Sequence, residues 1–388
     1  MLTGFSVKNF KSFYEETQFS MMANTGKEFE ETNTFADGKE RYLKSALIFG
    51  ANASGKSNFI SALRLVRDIM VCDLSEQVKL LEKCTPYQFQ VDSIEEPVQF
   101  EMTLQIQDNQ YTYGFHVLHN KIVKEYLLRK QKRRTVLFTR DTTVSIKNKS
   151  LFKGVSNLLE QLRDDVLFLK FAYFLNNDVA KEIVSFFDRM MFDNDTRFPY
   201  HLIQPGEEKI NQLALRLMKY ADPTVEDIVL RKNKETNEKR LVLRRYTYTS
   251  QWDKDREFEV DFKDFSSRGS ARMYQILRVI CFVLEQGGVF VADEIHQHLH
   301  PLLTRELIRL FHSPVHNPKN AQLVCTTHEI LLLDEDIRRD QIWFIEKDRA
   351  GRSTLYSLAD FKNIRVEDVN WKKYLLGMYG AVPEIDEF

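Results

Sequence analysis

Two stretches hold side chains whose types and spacing could do chemistry together. The first is "GANASGKS", residues 50–57, which fits G-x-x-x-x-G-K-[ST]. It follows an apolar run and opens a stretch with helical spacing, the context in which such a loop wraps phosphate. Glycines let the backbone curl around phosphate oxygens, and a helix N-terminus presents free N–H groups and the positive end of its dipole. Gly50 and Gly55 supply the curl, Lys56 is placed to reach β- and γ-phosphates, and the Ser57 hydroxyl to ligate Mg²⁺. The second stretch is "VFVADE", residues 289–294, an apolar strand ending in two carboxylates, a Walker B pattern. Asp293 would hold Mg²⁺, directly or through water, and Glu294 would polarise the attacking water as general base.

The acidic pair runs straight into His296, His298 and His300. Alternate histidines on a strand, or His296 and His300 four apart on a helix, could bind a transition metal and make the chain a metal-dependent hydrolase. Against that, Asp293 and Glu294 are already assigned, and Pro301 is suited to start a helix. Three further groups depend on their setting. Ser267, Gly269 and Ser270 stand at the start of a long helical pattern, where Ser and Gly also form an ordinary N-cap. His328 ends the apolar strand "LVCTT", and a lone histidine after a strand can be structural. Gln88 and Gln90, in "PYQFQ", lie between the P-loop helix and the strands that follow.

These groups need elements to hold them. "SALIF", residues 45–49, reads as a buried strand, and 57–70 carries Phe59, Ile60, Leu63, Val66 and Ile69 at helical spacing. Residues 2–22 alternate as strands, and 23–41 read as a loop. Residues 98–148 alternate with period two around turns at "QDNQ" and "LHNK", an antiparallel meander. Residues 155–221 read as several helices, and 225–262 as strands with a polar turn at "NKETNEK". A helix over 269–288 with a Gly-Gly stop leads to strand 289–292, helix 302–312 and two more strands. The class is α/β.

Composition excludes little but frames the rest. The 388 residues are 43% apolar and 29% charged with a formal net charge of -1, so no global charge demands nucleic acid. Cys72, Cys84, Cys281 and Cys325 show no C-x-x-C spacing and read as reduced thiols of a cytoplasmic protein. No run of 18 apolar residues suggests a membrane span. Two segments are locally basic: 121–134 with seven basic residues and one acid, and 231–245 with seven and two. On one face they could grip a phosphate backbone. Equally, they could be solvated hairpin edges that resist pairing, or dock an acidic partner.

Asn52 and Asn58 narrow the class. "GxNxxGKSN", with "KNFKSF" in the first strand, resembles ABC-type ATPases of the SMC and RecF kind. The resemblance extends to "YTYGF", "SSRGSARM", "DEIHQHLHP", "TTHE" and "YLLGMYGAVPEI", and points to the compact SMC/RecF/OLD-type ATPases of bacterial defence loci, such as the RloA and AbiLi groups. It implies a P-loop NTPase of SMC/RecF-head type with an antiparallel β lobe and a helical insertion. Residues 1–150 would form an N-terminal ATPase lobe, 151–255 the insertion and 256–388 the C-terminal ATPase lobe. It implies that Asn52 and Asn58 belong to the nucleotide site. Ser267, Gly269 and Ser270, 26 residues before Asp293 at the first of them, would be a degenerate signature capping the γ-phosphate of a partner subunit. His328 would be the switch histidine that senses that phosphate and steadies the attacking water, and Gln88 or Gln90 the Q-loop residue. Arg268 and Ser270 depart from the usual signature. The chain ends 60 residues past His328, which leaves no room for a Toprim nuclease. The implied protein is a head-to-tail homodimer or higher oligomer with ATP and Mg²⁺ in its interfaces, controlling a separately encoded nuclease or toxin during phage infection. The alternative is a RecF-like repair ATPase acting on DNA.

Overall fold

The computed structural model describes residues 1–193, 195, 208–232, 239–265, 267–362 and 369–383. The predicted turn at "NKETNEK" lies almost wholly outside them. At the centre is a six-stranded sheet in the order Met190–Phe192, Val289–Ala292, Gln322–Thr326, Ser45–Phe49, Ile342–Lys347, Ser353–Ser357. All neighbours are parallel except the last pair. Ser45–Phe49 and Val289–Ala292 are buried at every position, as strands covered on both faces must be. Their alternate residues serve two cores. Ala46, Ile48, Val289 and Val291 meet one, with the P-loop helix Lys56–Val71. Leu47, Phe49, Phe290 and Ala292 meet the other, with helices Arg268–Gln286 and Pro301–His312.

The first core is shared with a seven-stranded antiparallel sheet in the order Val144–Ile146, Arg134–Arg140, Lys121–Lys130, Asn109–Leu118, Val98–Ile106, Leu2–Lys8, Thr17–Ser20. The meander and both of its predicted turns are there. Phe59 of the P-loop helix is the joint between the layers, ringed by Phe5, Phe13 and Phe19 with centroids 5.7, 6.2 and 5.4 Å away. Such edge-on aromatic packing adds to plain area burial. The far end of this helix is closed by buried Lys170, whose ammonium donates to the carbonyls of Met70, at 3.0 Å, and Cys72. A cation on the last carbonyls is the favourable polarity for a helix C-terminus.

Two expectations need correction. The stretch 23–41 is not only loop: it holds the one-turn helix Glu30–Asn33 and the hairpin Thr34–Asp37/Glu40–Leu43. Polar side chains anchor it, which is why it leaves no apolar period. Buried Asn33 donates to Asp336 O and Gln341 Oε1, and Arg338 to Gly26 O and Glu28 O. Second, the parallel sheet takes its edge strand, Met190–Phe192, from inside the supposed helical insertion. Three residues are too few to show a period. The expected domain boundary at 255 falls within strand Lys254–Asp261 of a separate three-stranded sheet.

Candidate functional site

The P-loop joins the middle of the parallel sheet to the helix beneath it, and close packing dictates its glycines. A Cβ on Gly50 would lie 2.3 Å from Ile345 O, and one on Gly55 2.3 Å from Ser353 Oγ, with Gly55 at φ +119°. Either contact is far inside van der Waals range, and that φ is costly for any residue bearing a Cβ. The helix opens at Lys56. Lys56 is buried and donates to Gly50 O at 2.9 Å and Ala51 O at 2.8 Å. Burial pulls its pKa down, while Glu294 and Asp293 pull it up, so both carboxylates are electrostatic neighbours of the ammonium. Ser57 is exposed at the first turn and Asn52 at the loop tip. The Oγ of buried Ser54 has no hydrogen-bond partner within the described residues. Asn58 does something other than face the loop: its amide donates to Ser12 Oγ at 2.8 Å. Ser12 and Ser353 share a hydrogen bond of 2.8 Å, and Ser353 donates to Ser54 O at 2.6 Å. A chain of small polar groups thus pins the loop to the turn that follows the strand Leu2–Lys8 and to the edge of the parallel sheet.

The carboxylate half stands two strands away, with Gln322–Thr326 between the carboxylate strand and the P-loop strand. That middle strand ends in Thr326, and Thr327 follows it directly. Thr326 Oγ1 donates to Asp293 Oδ1 at 2.6 Å and accepts from Glu294 N at 2.7 Å, fixing the end of the carboxylate strand. Glu294 itself sits at φ +49°. This left-handed conformation is uncommon for glutamate, and such outliers gather at functional sites. His328 follows the threonines, its Nε2 3.9 Å from Glu294 Oε1. Its pKa is lowered, first by burial and then by Lys56 and His296, so at neutral pH it is an uncharged ring beside the carboxylate. Its ring meets that of His296 edge to face, centroids 5.7 Å apart.

The other histidines part company. His298, at φ +63°, is exposed; His300 caps helix Pro301–His312, its Nδ1 accepting from Leu302 N at 3.2 Å. Among the described residues no three His, Cys, Asp or Glu side chains converge as a metal site. Ser267 is the N-cap of its helix, accepting from Ser270 N at 3.0 Å; Ser270 is buried. A Cβ on Gly269 would come 2.8 Å from His298 O, so this loop packs on the turn that follows the carboxylates. Behind it, buried Asp193 accepts from Arg272 of the Ser267 helix at 2.8 Å and from Arg64 of the P-loop helix at 3.4 Å. One carboxylate thereby ties the two helices together.

Sequence reasoning assigned no role to Thr326, Thr327, Ser12, Ser353 or Asp193, and set His296 aside. The doubled threonine before His328 was the available signal. Gln88 and Gln90 are exposed, while between them Phe89 covers Gly351 and the buried Tyr87 donates to Ala350 O. The basic segments lie on different sheets. In the one over 231–245, three arginines are ion-paired: Arg231 with Glu259, Arg244 with Asp227, Glu257 and Glu259, Arg245 with Asp222. The other leaves Lys130, Lys132, Arg133 and Arg134 exposed at a hairpin tip.

Residues 45–334 match the protein family described as "AAA domain, putative AbiEii toxin, Type IV TA system". No curated protein gives a significant match. Among solved structures, the chain is similar to the SMC head domain from Thermotoga maritima, with 13% identity, 92% of this chain and 98% of that one covered, and a TM-score of 0.41. It is also similar to an SMC head bound to the C-terminal winged-helix domain of ScpA, with 14% identity, 92% and 97% covered, and a TM-score of 0.42.

Proposed function

The chain belongs to that AAA-domain family, whose members are P-loop ATPases, and on this premise we propose that it hydrolyses ATP between two copies of itself and reports the nucleotide state to a separate effector. The observation behind the catalytic reading is the convergence of Lys56, Asp293, Glu294 and His328 from three adjacent strands of one sheet. Lys56 binds the β- and γ-phosphates, exchanging its present carbonyl partners for phosphate oxygens. Gly50 and Gly55 leave room for those oxygens, the orphaned Ser54 hydroxyl lies within the loop, and Asn52 stands at its tip. The donor set fits Mg²⁺: the exposed Ser57 hydroxyl and the Asp293 carboxylate are hard oxygen ligands, and Thr326 fixes the carboxylate's orientation. When bound, the ion would neutralise charge on the transferring phosphoryl group. Glu294 takes the proton of the attacking water, and neutral His328 donates a hydrogen bond to the γ-phosphate.

Ser267, Gly269 and Ser270 act in trans in this reading. A helix N-terminus capped by Ser267 presents N–H groups to the γ-phosphate of a second copy. The resulting cytoplasmic dimer closes on ATP and opens on hydrolysis, and closure licenses a separately encoded nuclease or toxin in anti-phage defence. The family description favours a second reading, in which this chain is itself the toxin and a partner neutralises it. Growth arrest on expression of this chain alone would select that reading.

A mixing experiment tests the composite site. Lys56→Ala removes the phosphate charge of one copy, and Ser267→Arg blocks the cap of the other. Each alone should be inactive in ATP turnover. Mixed, a head-to-tail pair contains one site with both halves intact, and turnover should return. If both variants stay inactive when mixed although mixed dimers form, or Ser267→Arg hydrolyses normally alone, the composite site is wrong.

A further inference from the structure

His296 has no part in the catalytic reading, yet its ring packs edge to face on that of His328. Its Nδ1 lies 3.3 Å from Thr327 Oγ1 and 3.5 Å from the backbone N of His328. Thr327 Oγ1 already accepts from Glu329 N at 3.0 Å, so its own proton is free to point at the imidazole. One ring nitrogen therefore faces two donors: the threonine hydroxyl and the amide of the very residue whose ring reaches Glu294. Only an unprotonated Nδ1 satisfies both, which places the ring proton on Nε2.

We propose that His296 is a positioning residue for hydrolysis: as a neutral acceptor at Nδ1 it holds the 327–329 turn and, through ring contact, sets the His328 side chain against Glu294. This rests on the ATPase reading above and adds a second histidine to it. Each bond is long and individually weak, but they share one acceptor and fix adjacent backbone groups. The edge-to-face contact adds a steric wall on one side of His328. A proton on Nδ1 would set donor against donor and loosen the turn. Burial, the largest influence, lowers the pKa of this ring and Lys56 acts with it; the opposing pull of Glu294 and Glu329 is smaller, so the ring stays neutral.

Asparagine and glutamine separate this role from mere packing, because an Asn amide oxygen can stand where Nδ1 stands, whereas a Gln amide reaches toward Nε2. In ATP turnover at saturating nucleotide, His296→Asn should keep kcat within about threefold of the parent. His296→Gln and His296→Phe should each lose about tenfold, the worth of a hydrogen bond or two, with KM for ATP unchanged. Equal losses in all three, or a loss carried by KM, overturn the proposal. A second measurement does not depend on turnover: in ¹⁵N-histidine-labelled protein, the resonance that vanishes in His296→Asn should report an Nε2–H tautomer with an accepting Nδ1. An Nδ1–H tautomer or a charged ring at pH 7 overturns it. If the parent protein turns over no ATP, the ATPase reading falls, and the tautomer still decides the contact.

Discussion

The P-loop half of the site and the carboxylate half are built by different means. The first is set by backbone: two glycines at which a Cβ would strike Ile345 O or Ser353 Oγ, and a lysine buried against main-chain carbonyls. The second is wired by side chains: Thr326 to Asp293 and Glu294, Thr327 and His296 to the His328 turn. Glu294 and His328 remain partly exposed, at 41% and 31% of their side-chain surface. Packed backbone has few alternative arrangements. The hydroxyls that set these half-open side chains belong to buried Thr326 and Thr327, and each such hydrogen bond is worth about 1 kcal/mol. In the proposed reading the nucleotide cradle is thus the fixed half and the hydrolytic apparatus the adjustable one, as a protein needs if ATP binding and ATP cleavage are to carry separate messages.

Substitutions in the two halves should therefore split cleanly between binding and turnover. The largest effect is expected from Glu294→Gln, which keeps size and removes the base: kcat should fall by roughly 10²–10⁴ with ATP affinity retained, measured by turnover and by equilibrium binding. Unchanged turnover would dismiss Glu294 as the base and bring His328 forward. Lys56→Ala should act on the other quantity, weakening ATP by roughly 10- to 100-fold or more, the range of charge-assisted hydrogen bonds to phosphate. Undiminished affinity would break the comparison at its fixed half. Thr326→Val preserves shape but removes both hydrogen bonds at the carboxylates. It should cost about tenfold in kcat and little in affinity, and an affinity loss of that size would mean that the halves are not separable.

The smallest effect concerns the anchoring of the P-loop strand. His312 is buried between Ser45 and Gln341, its Nε2 2.9 Å from Ser45 Oγ, and burial pushes its pKa down to about 3. The unfolded chain takes up a proton near pH 6.5 and the folded chain does not, so stability falls as pH drops from about 6.5 toward about 3. Urea unfolding at pH 7 and pH 5.5 should show a loss of about 1 kcal/mol that is absent in His312→Gln. Equal losses in both proteins would assign the acid sensitivity elsewhere.

The fixed half was the more legible one in the sequence. A glycine pattern between an apolar strand and a helical period states its geometry directly, because backbone that tight tolerates few spellings. The carboxylate strand was also plain, since four consecutive apolar residues before Asp293 read as a buried strand. What the sequence hid was contact between distant polar residues. Ser12 and Ser353 are remote from Asn58 along the chain, and nothing in their types marks them as neighbours. His296 looked idle because its worth lies in an acceptor atom aimed at the next strand. Met190–Phe192 and the hairpin after Asn33 escaped because short strands held by polar ties carry no periodic signal.

The left-handed backbone at Glu294 has a consequence for any attempt to improve this protein. The fold asks for glycine or asparagine there, and a glutamate at φ +49° costs on the order of 1 kcal/mol. Glu294→Gly should therefore melt later than the parent while being catalytically dead. A library selected for heat tolerance alone will tend to discard the base, and the sturdiest descendants will be those that have stopped working.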